Sequence, residues 1–129
     1  MIWAGLAYDT KGGFQPHNVL TLDFWAQYNV TKEVFLAGEV ANTDGGVGKK
    51  GTSWLAEAGY SPAGPVSWIF RLSGDSPDKT VAASKYTQYT ICPTYKLTDN
   101  LSVRAEYSYY DYKGGKKKTF AGVQALFKF

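Results

Sequence analysis

Apolar and polar residues alternate along most of this chain, and that two-residue period constrains the fold more than any other feature. Between Thr119 and Phe129 one set of alternate positions is apolar or small, and the run ends on an aromatic residue. A period of two is the pattern of a β-strand with one apolar face. The pattern recurs upstream and predicts eight strands, at residues 2–9, 19–29, 34–42, 52–60, 66–75, 86–97, 101–112 and 119–129.

The composition agrees with a β-protein and excludes a helical membrane protein. The chain is 44% hydrophobic, yet it contains no run of about eighteen apolar residues, which a membrane-spanning helix requires. Aromatic residues make up 16% of the chain and there are 14 glycines, which suits strands joined by tight turns. At 129 residues we expect a single domain over residues 1–129. No basic and apolar leader precedes Met1, so we expect a mature form or an excised or engineered piece.

The connections between the predicted strands alternate in length. The longer ones are residues 10–17, 44–51, 77–85 and 113–118, whereas residues 30–33, 61–65 and 98–100 form tight turns. Each strand is close to the nine to eleven residues that cross a bilayer when tilted. Short turns on the periplasmic side and longer loops outside are typical of transmembrane barrels. The sequence therefore predicts an all-β fold, an eight-stranded antiparallel up-and-down transmembrane β-barrel.

Strand parity assigns the two faces of this barrel. When the charged residues are placed inside, the outward set, which on the seventh strand runs from Val103 to Tyr109, contains no charge. Because Lys or Arg facing mid-bilayer lipid costs roughly 2–4 kcal/mol, such avoidance is typical of a lipid-facing surface. The outward aromatic residues form two predicted interfacial girdles. They are Tyr8, Trp54, Tyr89 and Tyr109 near the loops, and Tyr28, Tyr60, Trp68, Tyr95, Phe127 and Phe129 near the turns. The alternative is an aromatic stripe in the core of a soluble β-sandwich.

The inward parity carries a belt of polar residues near mid-height. These predicted lumen-lining residues are Asp23, Glu39, Glu57, Arg71, Arg104, Glu106 and Gln124. An eight-stranded barrel is just wide enough to be filled by side chains, so the belt could form a polar plug in which each Arg binds a carboxylate. In a wider barrel it would line a pore and set ion selectivity. A catalytic carboxylate pair is the third interpretation, but no nucleophile or metal cluster accompanies the acids, so we expect no enzyme.

Other features of the sequence indicate partners rather than chemistry. Cys92 is the single cysteine, and it predicts neither a disulfide nor a metal site; we expect no cofactor. The glycine-rich residues 45–52 lack the spacing of a phosphate loop. A basic set in the loops predicts contact with anionic headgroups or lipopolysaccharide, and no aromatic stacking face lies among it to favour nucleic acid. That set is Lys11, Lys49, Lys50, Lys79, Lys85, Lys113, Lys116, Lys117 and Lys118.

Two segments of the chain also resemble each other at a spacing of 67 residues. An ungapped shift aligns residues 19–62 with residues 86–129 and places nine identical pairs in register, including Glu39 with Glu106 and Ala58 with Ala125. An internal repeat of four strands is one explanation. A residue pattern that lipid imposes on every barrel hairpin is the other.

One stretch carries a resemblance to a known family. Tyr95-Lys-Leu-Thr-Asp-Asn-Leu-Ser-Val-Arg-Ala-Glu-Tyr107 resembles the strand-turn-strand of bacterial porins, and Tyr28-Asn-Val-Thr-Lys-Glu-Val34 is a second copy. With the terminal Phe129, the chain resembles the carboxyl-terminal half of an OmpL-like porin of the bacterial outer membrane.

The resemblance implies a function and a route of insertion. It implies a channel for passive diffusion of small polar solutes or ions, inserted by the barrel assembly machinery that binds the C-terminal strand. Such porins have more strands than this chain. Two alternatives therefore stand beside a conducting porin. One is a plugged structural barrel, including an excised or engineered porin fragment, that anchors the envelope without transport. The other is a soluble ligand-binding β-barrel of the lipocalin or avidin type.

Overall fold

Eight β-strands make up most of the chain that the structure, a computed structural model, describes: residues 1–9, 18–44, 50–77 and 85–128. The strands are β1 Ile2–Asp9, β2 Val19–Asn29, β3 Val34–Asp44, β4 Lys50–Tyr60, β5 Val66–Pro77, β6 Tyr86–Lys96, β7 Leu101–Tyr112 and β8 Lys117–Phe127. These four ranges contain no helix, and so none that is long and apolar enough to span a membrane. The all-β prediction is confirmed.

The predicted bounds match the structure at β1, β2 and β7 and differ by one or two residues elsewhere. The sequence pattern ended β3 and began β4 at apolar or neutral residues, but the ladder continues to Asp44 and Lys50. These two side chains form an ion pair of 2.9 Å across the ladder. Likewise β8 begins at Lys117, opposite Asp111. Opposite charges facing each other extend a ladder beyond its apolar part.

All eight strands form one sheet in sequence order, and each strand is antiparallel to the next. This confirms the up-and-down topology. The predicted closed barrel is not formed: β1 and β8 are the two edges of the described sheet, and each pairs on one side only. Pairing between sequence neighbours produces a sheet, but closure also requires the first strand to pair with the last. The fold is therefore an open eight-stranded sheet.

Short turns join the strands at one end of the sheet, which we name the turn end. At residues 30–33 the Val30 amide donates to the carbonyl of Val34, and Thr31 Oγ1 accepts bonds from the Glu33 and Val34 amides. The turn at residues 97–100 repeats this scheme, with Thr98 Oγ1 accepting from the Asn100 amide. Threonine therefore fixes both turns through its hydroxyl group.

The other connections lie at the opposite end of the sheet, the loop end. The β7–β8 connection is described throughout and spans residues 113–116, so the prediction of a longer loop over residues 113–118 is wrong, because β8 begins two residues earlier than predicted. Gly115 has a φ of 78° there, a conformation that favours glycine. The Gly115 amide donates to the carbonyl of Tyr112 and closes the turn. Residues 10–17, 45–49 and 78–84, which include Lys11, Lys49 and Lys79, lie outside the described residues.

The 67-residue spacing of the sequence is present in the structure. Shifted by 67, the bounds of β2 coincide with those of β6, and the bounds of β4 coincide with those of β8. The register follows the same shift. Phe24 pairs with Val40 as Ile91 pairs with Tyr107. Glu39 pairs with Leu55 as Glu106 pairs with Gly122. Strands β2–β4 and β6–β8 therefore share their register and nearly all their bounds, which agrees with both explanations of the spacing.

Candidate functional site

The predicted lumen-lining residues all lie on one face of the sheet, which we name the polar face. Residues directly opposite each other on neighbouring strands share a face, as do residues two apart on one strand. Glu57 lies opposite Arg71, Arg104 lies opposite Gln124, and the other positions connect to these by the same rule. The whole set is Asp23, Glu39, Glu57, Arg71, Arg104, Glu106 and Gln124.

Arg71 and Glu57 form the one ion pair on the polar face within the described ranges. Arg71 Nε and Nη2 both donate to Glu57 Oε2, at 3.0 and 2.8 Å. The side chains are 34% and 15% exposed, so water screens the pair only in part. A charge-assisted double contact of this kind holds the guanidinium plane against the sheet. The prediction that Arg71 binds a carboxylate is confirmed.

Arg104 behaves differently from Arg71. Its Nε donates to Thr94 Oγ1 at 3.2 Å, and no carboxylate of the described residues lies within 4.0 Å of it. The predicted carboxylate partner of Arg104 is therefore wrong. The register explains the difference, because Arg104 lies between Thr94 and Gln124, and both of these side chains are neutral.

The arginines of the polar face lie in one part of the sheet. Asp23, Glu39 and Glu57 lie on β2 to β4, where the described polar-face positions include no Lys or Arg. The two arginines lie on β5 and β7, and Glu106 also lies on β7. Asp23 Oδ1 is buried and accepts no hydrogen bond from any described residue. The polar face is therefore acidic on β2 to β4 and carries both signs of charge on β5 to β7.

A network of hydroxyl and amide groups adjoins Arg71 on β5 to β7. Gln88 Nε2 donates to Thr90 Oγ1 at 3.0 Å and to Ser108 Oγ at 3.3 Å, and Thr90 and Ser108 share a hydrogen bond of 2.7 Å. Ser108 also donates to Glu106 Oε1 at 3.0 Å. Thr90 and Ser108 are buried, and Ser108 has no exposed surface. Buried polar groups that satisfy one another in this way make a rigid patch.

The other face of the sheet, the apolar face, is exposed. It carries the predicted girdle residues, of which Phe129 lies outside the described residues; Tyr28 is 71% exposed and Phe127 65%. The aliphatic residues between them are also exposed, Val123 at 76%. Trp54, Trp68 and Tyr109 are half-buried, and Tyr109 packs against Tyr89 with ring centroids 6.3 Å apart. Contacts between elements join neighbouring strands, so no second layer of the described chain packs on this face.

The polar face also holds an aromatic cluster that the sequence analysis did not identify. Tyr86, Tyr110 and Tyr112 lie together near the loop end, with ring centroids 5.5 to 6.4 Å apart. The sequence contains a signal for this cluster. Because Tyr109 is assigned to the outward face, alternation along the strand assigns Tyr110 and Tyr112 to the inward face. Aromatic residues at inward positions of a polar lumen depart from the pattern of alternating strands.

The remaining residues singled out from the sequence are Cys92 and the predicted basic set. Cys92 is buried on the polar face beside Ile69, and no group of three metal-ligating side chains occurs in the described ranges. Three of the predicted loop lysines, Lys50, Lys117 and Lys118, are strand residues. Lys118 Nζ lies 6.0 Å from the centre of the Tyr110 ring, so part of the basic set adjoins the tyrosine cluster.

No protein-family model, curated protein or solved structure matches this chain.

Proposed function

We propose that this protein is a bacterial outer-membrane β-barrel of porin type that lets small polar solutes or ions diffuse passively, as the resemblance to OmpL-like porins implies. The observation that carries the proposal is the exposed apolar face opposite a polar face. A soluble monomer rarely exposes contiguous apolar patches larger than a few hundred Å². A bilayer covers such a face, and strands with satisfied backbone bonds can span it.

The accessible surface area of the chain supports the proposal that lipid covers one face of the sheet. Its accessible surface is 9175 Å², whereas a folded monomer of this mass (14.2 kDa) exposes about 6,800 Å². The excess of about a third corresponds to a sheet that has no second layer packed on it. Insertion into lipid would cover the apolar face. The polar face would then contact water or pack against its own side chains across the lumen.

The register of the sheet is compatible with closure into a barrel of eight strands. Following ladder partners from Ile2 leads across the sheet to Thr119 on β8, through Ala26, Gly38, Ala56, Leu72, Tyr89 and Tyr109. Phe127, at the same end of the sheet as Ile2, lies eight residues further along β8. Pairing Ile2 with Phe127 would therefore close the sheet with a shear of eight. Eight strands with that shear tilt by about 36°.

The internal repeat is consistent with the same shear. Ladder partners of Ala26 on β2 lead to Tyr89 on β6, whereas the repeat equivalent of Ala26 is Pro93, four residues away. The step from β2 to β6 thus has a stagger of four residues. An equal stagger over the step from β6 back to β2 in a closed barrel would give eight, and the stagger of a closed barrel must match its strand number and tilt.

The polar face would line the lumen of such a barrel. Carboxylates on β2 to β4 would face arginines on β5 and β7 across the narrow interior, and rings of charged side chains set ion selectivity. The Arg71–Glu57 ion pair and the buried Ser108 network favour a second candidate, a plugged barrel that stabilises the envelope without transport. Both candidates place lipid on the apolar face, and they differ in whether the lumen conducts.

Two further partners are expected if the apolar face lies in the lipid of the outer membrane. Lipopolysaccharide phosphates would contact the lysines at the loop end, and the barrel assembly machinery would bind the C-terminal strand. No cofactor, metal, enzymatic reaction or nucleic acid enters the proposal. A soluble ligand-binding barrel remains the third candidate, and refolding without detergent would support it.

Single-channel conductance of the refolded chain in a planar lipid bilayer tests the proposal. We expect small steady currents that increase in Arg71→Ala and Arg104→Ala, because each truncation widens a lumen that side chains nearly fill. A matched control is Tyr109→Ala, on the apolar face, which should leave the currents unchanged. Folded, inserted protein without current in any of these variants would support the plugged barrel and contradict the porin.

A further inference from the structure

Three tyrosine rings form a platform on the polar face at the loop end, which we name the tyrosine platform: Tyr86, Tyr110 and Tyr112. Tyr86 and Tyr112 face each other across β6 and β7 with ring centroids 5.5 Å apart. Tyr110 lies 5.7 Å from Tyr86 and is nearly parallel to Tyr112, at 21°. All three rings are half-buried, so they are held in place while part of each remains accessible.

Polar groups border the tyrosine platform on three sides. Asp75 on β5 lies opposite Tyr86, and Lys118 on β8 lies opposite Tyr110 with Nζ 6.0 Å from the ring centre. Gln88 lies opposite Tyr110 on the side toward mid-height. The platform thus combines flat apolar rings with hydrogen-bond acceptors and donors at their margins.

The sheet does not require tyrosines at these positions. The repeat equivalents of Tyr86 and Tyr110, 67 residues earlier, are Val19 and Thr43. The equivalent of Gln88 is Thr21, whose hydroxyl shares a 3.3 Å hydrogen bond with Thr43. Register and nearly all strand bounds are the same in β2–β4 and β6–β8, so small residues fold equally well there. The platform is therefore a difference between these two segments that packing alone does not explain.

We propose that the tyrosine platform binds a saccharide built of pyranose rings. The C–H groups on one side of a pyranose carry partial positive charge and stack on the negative face of an aromatic ring. Its hydroxyl groups at the rim would bond to Asp75, Gln88 and Lys118. Strands lie about 4.8 Å apart, so the row from β5 to β8 spans roughly 14 Å, enough for two or three sugar rings.

The ammonium group of Lys118 disfavours a cationic ligand at the Tyr110 ring. Aromatic rings also bind quaternary ammonium groups, but Lys118 Nζ already lies 6.0 Å from the centre of that ring. One ammonium group repels another at such a distance. The proposal names the solute class of the proposed porin and rests on that function for its role in transport, while binding itself does not require conduction.

Binding can be measured by saturation-transfer NMR on the full chain refolded in tetraethylene glycol monooctyl ether, a detergent without a sugar headgroup. Maltotriose and cellotriose are the probes, and choline is the cationic comparison. We expect saturable transfer to at least one trisaccharide, weakened about fivefold or more in Tyr110→Ala through the loss of one stacked ring. Tyr110→Phe should retain most of the affinity, since the ring face remains.

Tyr109→Ala is the matched control, because it removes the neighbouring tyrosine of the same strand from the opposite face. Its affinity should equal that of the unchanged protein. Should Tyr110→Ala fail to fold, Tyr112→Ala replaces it, with an amide NMR spectrum to verify folding. The proposal is overturned by choline binding more tightly than both sugars, by equal losses in Tyr109→Ala and Tyr110→Ala, or by no saturable transfer. Sugar binding without conductance would instead contradict the porin and leave the platform intact.

Discussion

Replacing Val123 by Arg tests which face of the sheet meets lipid. Val123 is 76% exposed on the apolar face and is the seventh of eleven residues in β8, close to mid-height. If lipid covers that face, the arginine costs roughly 2–4 kcal/mol, which is about a 30- to 900-fold change in the folding equilibrium. If water covers it, an exposed substitution costs within about 0.5 kcal/mol.

Gln124→Arg is the matched control, one residue away on the polar face. Its guanidinium would lie directly opposite Arg104, and like charges in that position cost roughly 0.2–1 kcal/mol. The control should therefore be less destabilising than Val123→Arg by at least about 1 kcal/mol.

The measurement is reversible urea unfolding from lipid vesicles, followed by tryptophan fluorescence, for the unchanged chain and both variants. The fluorescence reports on the sheet because Trp25, Trp54 and Trp68 lie on β2, β4 and β5. Equal free energies of unfolding for Val123→Arg and Gln124→Arg would refute the assignment of the apolar face to lipid, and with it the basis of the proposed function.

Three further outcomes can be checked on the same protein. The chain should refold only with detergent or lipid and migrate differently on a gel before and after boiling, because its apolar face has no protein partner; a folded, monomeric form in plain buffer would contradict this. Gly59→Ala should destabilise the fold by about 1–3 kcal/mol, since a methyl group there overlaps the Phe35 ring, and Phe35→Leu should recover part of the loss in urea unfolding. The hydrogen bond and charge of Lys96 lower the pKa of Asp99. This carboxylate therefore contributes a small stability above its unfolded pKa, and that stability is lost as the pH falls through its folded pKa. Asp99→Asn should flatten that part of the curve of unfolding free energy against pH, and an unchanged slope would show that the contact contributes nothing.

The strand pattern and the pairing order could be predicted from the sequence because both depend on local features. A two-residue period defines each strand, and turns such as residues 30–33 and 97–100 force neighbours to pair. The short connection at residues 61–65 then places Glu57 opposite Arg71, so their contact follows from register. Strand ends were less predictable, since Asp44 and Lys50 extend a ladder by charge and not by apolar alternation.

The predicted closure was wrong for the described sheet, and the contact between Tyr86 and the other two tyrosines was not predicted. Closure depends on the stagger summed over seven ladders, and no single segment of sequence encodes that sum. The partner of Arg104 was missed because the charges on a face do not reveal the register, which places the neutral Thr94 beside it. Parity alone puts Tyr110 and Tyr112 on the polar face, but only the register places Tyr86 beside them.

The four-residue stagger between β2 and β6 has a consequence for the size of the proposed barrel. If every four strands add four residues to the shear, the ratio that sets strand tilt stays constant as strands are added. A barrel extended by four more strands would then have twelve strands at the same tilt and a wider bore, with every existing hairpin kept in its present register. Duplication of a four-strand segment would therefore enlarge the proposed barrel without changing the pairing within its wall.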